Sequence, residues 1–141
     1  MKEVLKGSLA CDAGALLELM LGTESGNALK LSLLSGEAEA LATELAIAEV
    51  RYVLCRRYGK AVSDERVRAL LDSGYLKVWS TDKLVDIAAD YKCARSLSLP
   101  DCFTLALAAR ADVPALFAHR ERELASEMSR KPFEIEIRFL Q

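Results

Sequence analysis

What most constrains this chain is an alternation, kept up from end to end, between short apolar runs and segments of helical period. An apolar run from Val4 to Cys11 feeds "AGALLELMLG", where Leu16, Leu17, Met20 and Leu21 recur at helical spacing. A second helix is expected over "ESGNALKLSLLSG", with Leu29, Leu33 and Leu34 as its apolar stripe. After the short run "EALAT", a long helix fits "ELAIAEVRYVLCRRYG", ended by Gly59, with Arg56 and Arg57 complementing the dipole of its last turns. "SDERVRALLDSG" opens on a serine cap and stops at Gly74, and "YLKVWS" alternates as a strand does. "TDKLVDIAADYKCARSL" is amphipathic through Leu84, Ile87, Ala88 and Tyr91. The apolar helix of "LPDCFTLALAARADVP", the strand "PALFA" and the charged helix "RERELASEMSR" follow. In "PFEIEIRFL", Phe133, Ile135, Ile137 and Phe139 share one face, as in a half-exposed edge strand. Strands separated by helices require crossover connections. The fold class is therefore α/β, a mostly parallel sheet with helices on both faces.

At 141 residues, with no internal repeat or linker, the chain is expected to form a single domain over 1–141. No apolar run approaches the ~20 residues of a membrane helix, and Asp12 interrupts any early signal-peptide core, so a cytoplasmic protein without membrane contact is expected. Cys11, Cys55, Cys93 and Cys102 show no C-x-x-C spacing, and His119 is the only histidine. That argues against zinc or a disulfide framework and for reduced core thiols. With a net charge of -2 and a pI near 5.5, any contact with nucleic acid must be local.

Four acids stand in conspicuously apolar company. Asp12 directly follows the first strand, where an N-cap would equally explain it. Glu49 has Leu45, Ala46, Tyr52 and Val53 three and four residues away, an inward-pointing face unless Arg51 meets its charge. Asp101 forms an S-x-x-D capping box with Ser98, yet begins a helix with no other charge before Arg110. Glu121 follows "PALFA" and, with Glu123 and Glu127, is also readable as a solvated surface charge. In an open parallel sheet, ligands bind outside the carboxyl ends of the strands, and right-handed crossovers allow all four acids to reach that rim. Clustered carboxylates resist ionisation unless a cation neutralises them. An all-oxygen ligand set favours Mg²⁺ or Mn²⁺.

The motifs "ACDAGALLELM", "TELAIAEVRYVL", "LPDCFTLALAARADVP" and "LFAHREREL", in this order and spacing, resemble the PIN domain family, particularly its small VapC-type toxin ribonucleases. The resemblance implies a three-layer fold with a five-stranded sheet of order 3-2-1-4-5. It implies a metal-dependent endoribonuclease site made by Asp12, Glu49, Asp101 and Glu121, which would hold Mg²⁺ or Mn²⁺. It also implies an RNA substrate, a homodimer and an antitoxin-like partner. On this reading Arg51, Arg56, Arg57 and Arg120, with Lys60 and Arg95, are candidate phosphate contacts, and His119 is structural. Leu16 to Leu34 would supply a partner groove, with core packing as the alternative. Two positions depart from the family pattern: Gly14 stands where a Ser or Thr is usual, and Glu121 where an Asp is usual. They keep open an alternative, a catalytically weak PIN-like module that binds RNA or a protein.

Overall fold

The computed structural model describes residues 5–141, so the beginning of the first run at Val4 lies outside the described residues. Its strands are β1 (Gly7–Cys11), β2 (Ala38–Thr43), β3 (Leu76–Trp79), β4 (Ala115–Phe117) and β5 (Ile137–Phe139). All pairings are parallel, in the order β3-β2-β1-β4-β5. The helices are α1 (Ala13–Leu21), α2 (Glu24–Ser35), α3 (Glu44–Tyr58), α4 (Lys60–Asp72), α5 (Val85–Ala94), α6 (Leu99–Ala111) and α7 (Arg122–Arg130). Successive β1 residues face opposite sides of the sheet, so Leu9 and Cys11 join a core with Leu16, Leu29, Val50, Leu54 and Val67 from α1 to α4. Ala10 joins the other core, with Ala88, Leu105, Phe117 and Leu124. These are the two outer layers. No helix among the described residues is long and apolar enough to cross a membrane.

Local chemistry sets most of the boundaries. Thr23 and Thr43 cap α2 and α3 by accepting the N–H groups of Gly26 and Ala46. Gly26 is required for another reason: a Cβ there would lie 1.8 Å from the Glu18 carbonyl oxygen, so only glycine lets α2 fold back on α1. α6 is buried at every position from Cys102 to Ala108, packed between the sheet and α5. Only its ends meet water.

Two of the four expected core thiols, Cys55 and Cys93, lie instead on exposed helix positions, and four element bounds are corrected in detail. α4 starts at Lys60 rather than after Ser63, because Gly59 (φ 89°) turns the chain directly from α3, and the buried Ser63 hydroxyl donates to the Arg51 carbonyl instead of capping. α5 begins only after a 3₁₀ turn at 81–83. α7 starts at Arg122, since the backbone of Glu121 is still extended. β5 pairs over three residues only, although Phe133 and Ile135 pack against the same core as Ile137 and Phe139.

Candidate active site

The strand order reverses direction between β1 and β4, which opens a crevice at their carboxyl ends. Asp12 is the first residue beyond β1. Its Oδ1 accepts two backbone N–H groups, from Ala15 at 2.8 Å and from Ala118 at 3.2 Å. One oxygen thus caps α1 and also ties the end of β1 to the residue after β4. Asp101 enters from the first turn of α6, where the Ser98 oxygen accepts the Asp101 N–H at 3.3 Å. The serine makes the cap. Glu49 comes from the second turn of α3, and Glu121 occupies the N-cap position of α7 with no side-chain cap bond.

All four acids line one pocket of about 180 Å³, with Gly14, Ser98, Phe117, His119 and Leu124. Burial raises the Asp12 carboxyl from 3.8 to about 7, with Asp101 and Glu49 adding to it against the two backbone hydrogen bonds. Burial likewise raises Asp101 from 3.8 to about 6, with Glu121, Glu49 and Glu123 acting in the same sense and a Ser98 hydrogen bond opposing it. Glu49 is raised by burial and by Glu121. Asp12, Glu49 and Asp101 are thus each raised by at least one other acid of the pocket. Beside them, burial pushes the Cys11 thiol up to about 12, which keeps it an inert core group.

Among the described residues no Lys or Arg lines this pocket. Arg51 does not meet Glu49: its guanidinium and the Lys60 ammonium each lie 2.5 Å from a different oxygen of Asp64 on α4. Arg56 lies over the Tyr52 ring and Arg57 over the Tyr58 ring, while Arg120, next to Glu121, covers Phe139 at 4.8 Å. Arg95 is corrected outright as a phosphate contact. Its buried guanidinium donates to the carbonyls of Glu127, Lys131 and Pro132 and stacks 3.6 Å from the Phe133 centroid, pinning the end of α7 to α5.

The residues fit a divalent cation by two observations. The four carboxylates offer oxygen alone, with the single imidazole of His119 beside them, and among the described residues no Lys or Arg lines the pocket to neutralise them. The space beside Asp12 is kept open by Gly14, whose Cβ would lie 3.4 and 3.5 Å from the two Asp12 oxygens. The side chains do not yet converge on one point: among the described residues no three His, Cys, Asp or Glu groups stand ready to hold a metal. The four carboxylates share the pocket rather than a single point, as like charges with no cation between them splay apart. The Gly14 departure also has a packing cause. A Cβ at that position would meet the Ala118 Cβ at 2.9 Å.

Fold and pocket together define a parallel α/β protein with an acidic cleft at its topological switch point. The sequence pattern of the PIN domain matches residues 9–130, and the chain belongs to the PIN domain family. Among curated proteins, no sequence matches it. Solved structures with the same fold include VapBC2 from Rickettsia felis bound to a promoter DNA fragment, at 11% identity, TM-score 0.66 and coverage of 94% of this chain and 98% of that one. Another is VapC20 of Mycobacterium tuberculosis, a sarcin-ricin loop cleaving toxin, at 16% identity, TM-score 0.64 and coverage of 86% and 94%. DNA-bound VapBC from Salmonella typhimurium is similar at 14% identity and TM-score 0.60, covering 97% and 99%.

Proposed function

We propose that this chain is a single PIN domain acting in the cytoplasm as a divalent-metal-dependent endoribonuclease, the toxin of a toxin–antitoxin pair. The observation that carries the reading is that Asp12, Glu49, Asp101 and Glu121 all line one pocket which, among the described residues, no Lys or Arg lines. Asp12 and Asp101 are the principal ligands for Mg²⁺ or Mn²⁺, and Glu49 and Glu121 orient water or hold a second ion. When bound, such an ion supplies charge neutralisation at a phosphoryl oxygen and lowers the pKa of water. The protein's own part is to hold the carboxylates aimed, their raised pKa values leaving it to the cation to favour the ionised forms. Asp12 is fixed by two backbone N–H groups and Asp101 by the capped start of a fully packed helix. Glu121 is the one exposed acid of the four and plays an accessory role.

An antitoxin-like partner has a fitting place. An apolar groove of about 380 Å³ runs between α1, α2, α4 and β3, lined by Leu16, Leu19, Met20, Leu33, Leu34 and Leu70, with Lys30 and Arg66 beside them. It suits an amphipathic helix with acids at its rim. A homodimer belongs to the same reading. The second reading, a PIN-like module that binds without cutting, is favoured by one observation, the absence of a hydroxyl at Gly14 beside Asp12. Incubating RNA with the wild type and with Asp101→Asn, in Mn²⁺ and then in EDTA, decides between them. Cleavage by the wild type in Mn²⁺ alone supports the nuclease; binding without metal-dependent cleavage supports the module.

A further inference from the structure

The ten residues from Arg51 to Lys60 contain Arg51, Arg56, Arg57 and Lys60 and no acid, in a chain whose net charge is -2. Asp64 takes up Arg51 and Lys60. Arg56 and Arg57 have no carboxylate partner among the described residues, and each guanidinium lies instead against a tyrosine ring, at 5.1 Å for Tyr52 and 5.9 Å for Tyr58. Both rings are 50% exposed. An aromatic ring left half in water and backed by a cation is a surface prepared for another flat group.

The first pair does not line the acidic pocket but shares α3 with Glu49, which does. Glu49, Tyr52 and Arg56 stand at i, i+3 and i+7 on α3, so they follow one stripe of the helix. Tyr52 lies ~4.5 Å along the axis from Glu49, and Arg56 ~10.5 Å. The order from the pocket outward is acid, aromatic ring, guanidinium. A strand whose phosphodiester sits among the four carboxylates would carry its neighbouring base over Tyr52 and its next phosphate toward Arg56. Proteins bind single-stranded RNA through such pairings, stacking splayed bases on tyrosine and arginine planes.

We propose that Tyr52 and Arg56 form a stacking shelf that positions an unpaired RNA base beside the bond to be cut. The inference rests on the nuclease reading of the pocket. It narrows the substrate class: a nucleotide held inside a duplex has no free face to offer the shelf, so cleavage falls where the RNA is unpaired. Stacking is tolerant of base identity. The shelf therefore selects for exposure of the base rather than for its sequence.

The test uses the full chain carrying Asp101→Asn and a short single-stranded oligoribonucleotide containing a fluorescent adenine analogue, whose emission is quenched by stacking. Tyr52→Ala in that background should remove the quench and weaken binding roughly 5- to 150-fold, while Tyr52→Phe keeps both. Arg56→Gln should weaken binding and flatten its salt dependence. With Asp101 restored, Tyr52→Ala should raise KM on the unlabelled strand more than it lowers kcat. Quenching and affinity unchanged in Tyr52→Ala overturn the shelf. So does a change of oligomeric state in that variant by sedimentation velocity, which would make the ring a protein contact. A wild type that quenches the probe but never cleaves in Mn²⁺ supports the shelf and sinks the nuclease reading, so the two fail separately.

Discussion

Replacing Asp12 with Asn tests whether the acid cluster is held in the folded chain against its own charge. The Asp12 carboxyl rises from 3.8 to about 7 on folding, chiefly through burial and secondarily through Asp101 and Glu49. Glu121 and His119 line the same pocket. A raised carboxyl favours the neutral folded form. The wild type should therefore lose stability as pH climbs from about 4 to about 7, and the loss should level off above that. About three pKa units at about 1.4 kcal/mol each give an upper bound of about 4 kcal/mol. The acids are coupled and the pocket opens to solvent, so roughly 2 kcal/mol is expected. The Asp12→Asn side chain retains the Oδ1 acceptor for Ala15 and Ala118 and cannot ionise. In EDTA the two proteins should melt together near pH ~4 and diverge by roughly 4–8 °C near pH ~8, the variant being the more stable. Millimolar Mn²⁺ should restore much of the difference to the wild type and leave the variant unmoved. Urea and thermal melts across pH, with and without the ion, are the assay. An Asp12→Asn variant that is less stable than the wild type at the alkaline end, or a gap independent of pH, would refute the reasoning.

Asp101→Asn should abolish metal-dependent cleavage and leave the fold intact, because the Ser98 oxygen and not the Asp101 carboxylate makes the helix cap; circular dichroism and an RNA cleavage assay read the two halves. Glu121→Gln should weaken cleavage less than either aspartate change, and Glu123→Gln should have little effect, since Glu123 lies outside the pocket lining. Glu123→Gln proving as harmful as the aspartate changes while Glu121→Gln is silent would move the fourth acid by two residues. Gly14→Ser should destabilise by roughly 1–3 kcal/mol through overpacking against Ala118, and Ala118→Gly in the same chain should recover much of the loss in urea melts.

The order of helices and strands was legible because most elements carry their own signals. Gly59, Gly74 and the stripe of Leu29 and Leu33 mark ends and faces locally. β2 was visible only as a short run: it is alanine-rich and, apart from Glu39, buried along its length, so no alternation announces it and its one β-branched residue, Thr43, stands at its end. Ser63 reads as a cap because a cap signal is local, whereas its actual partner, the Arg51 carbonyl, belongs to the preceding helix. The same limit explains Arg95. Its carbonyl partners lie 32 to 37 residues further on, and nothing near it in sequence distinguishes a pinned arginine from a solvated one. Asp12 and Asp101 were legible as caps, Glu121 as a surface charge and Glu49 as an acid on an apolar helix face, and the parallel topology is what turns them into one pocket. The Ala118 N–H that aligns Asp12 has no side-chain signature at all, and Tyr52 passed as one more apolar neighbour of Glu49.

The packing of α6 on every side gives the two halves of the pocket different lifetimes. Its central amides can exchange with water only when the whole sheet comes apart, so Asp101 rides on the most persistent piece of the molecule. Glu121 sits where an exposed loop passes into α7, whose far end is pinned by Arg95 while its start has no side-chain cap bond, so the first turn is the part that frays. Fraying of that turn would withdraw the fourth carboxylate while the other three stay in register. Such a chain has a built-in way to pass in and out of its fully assembled state many times within one lifetime of the fold, and whatever holds that turn down also sets how long the complete set of acids persists.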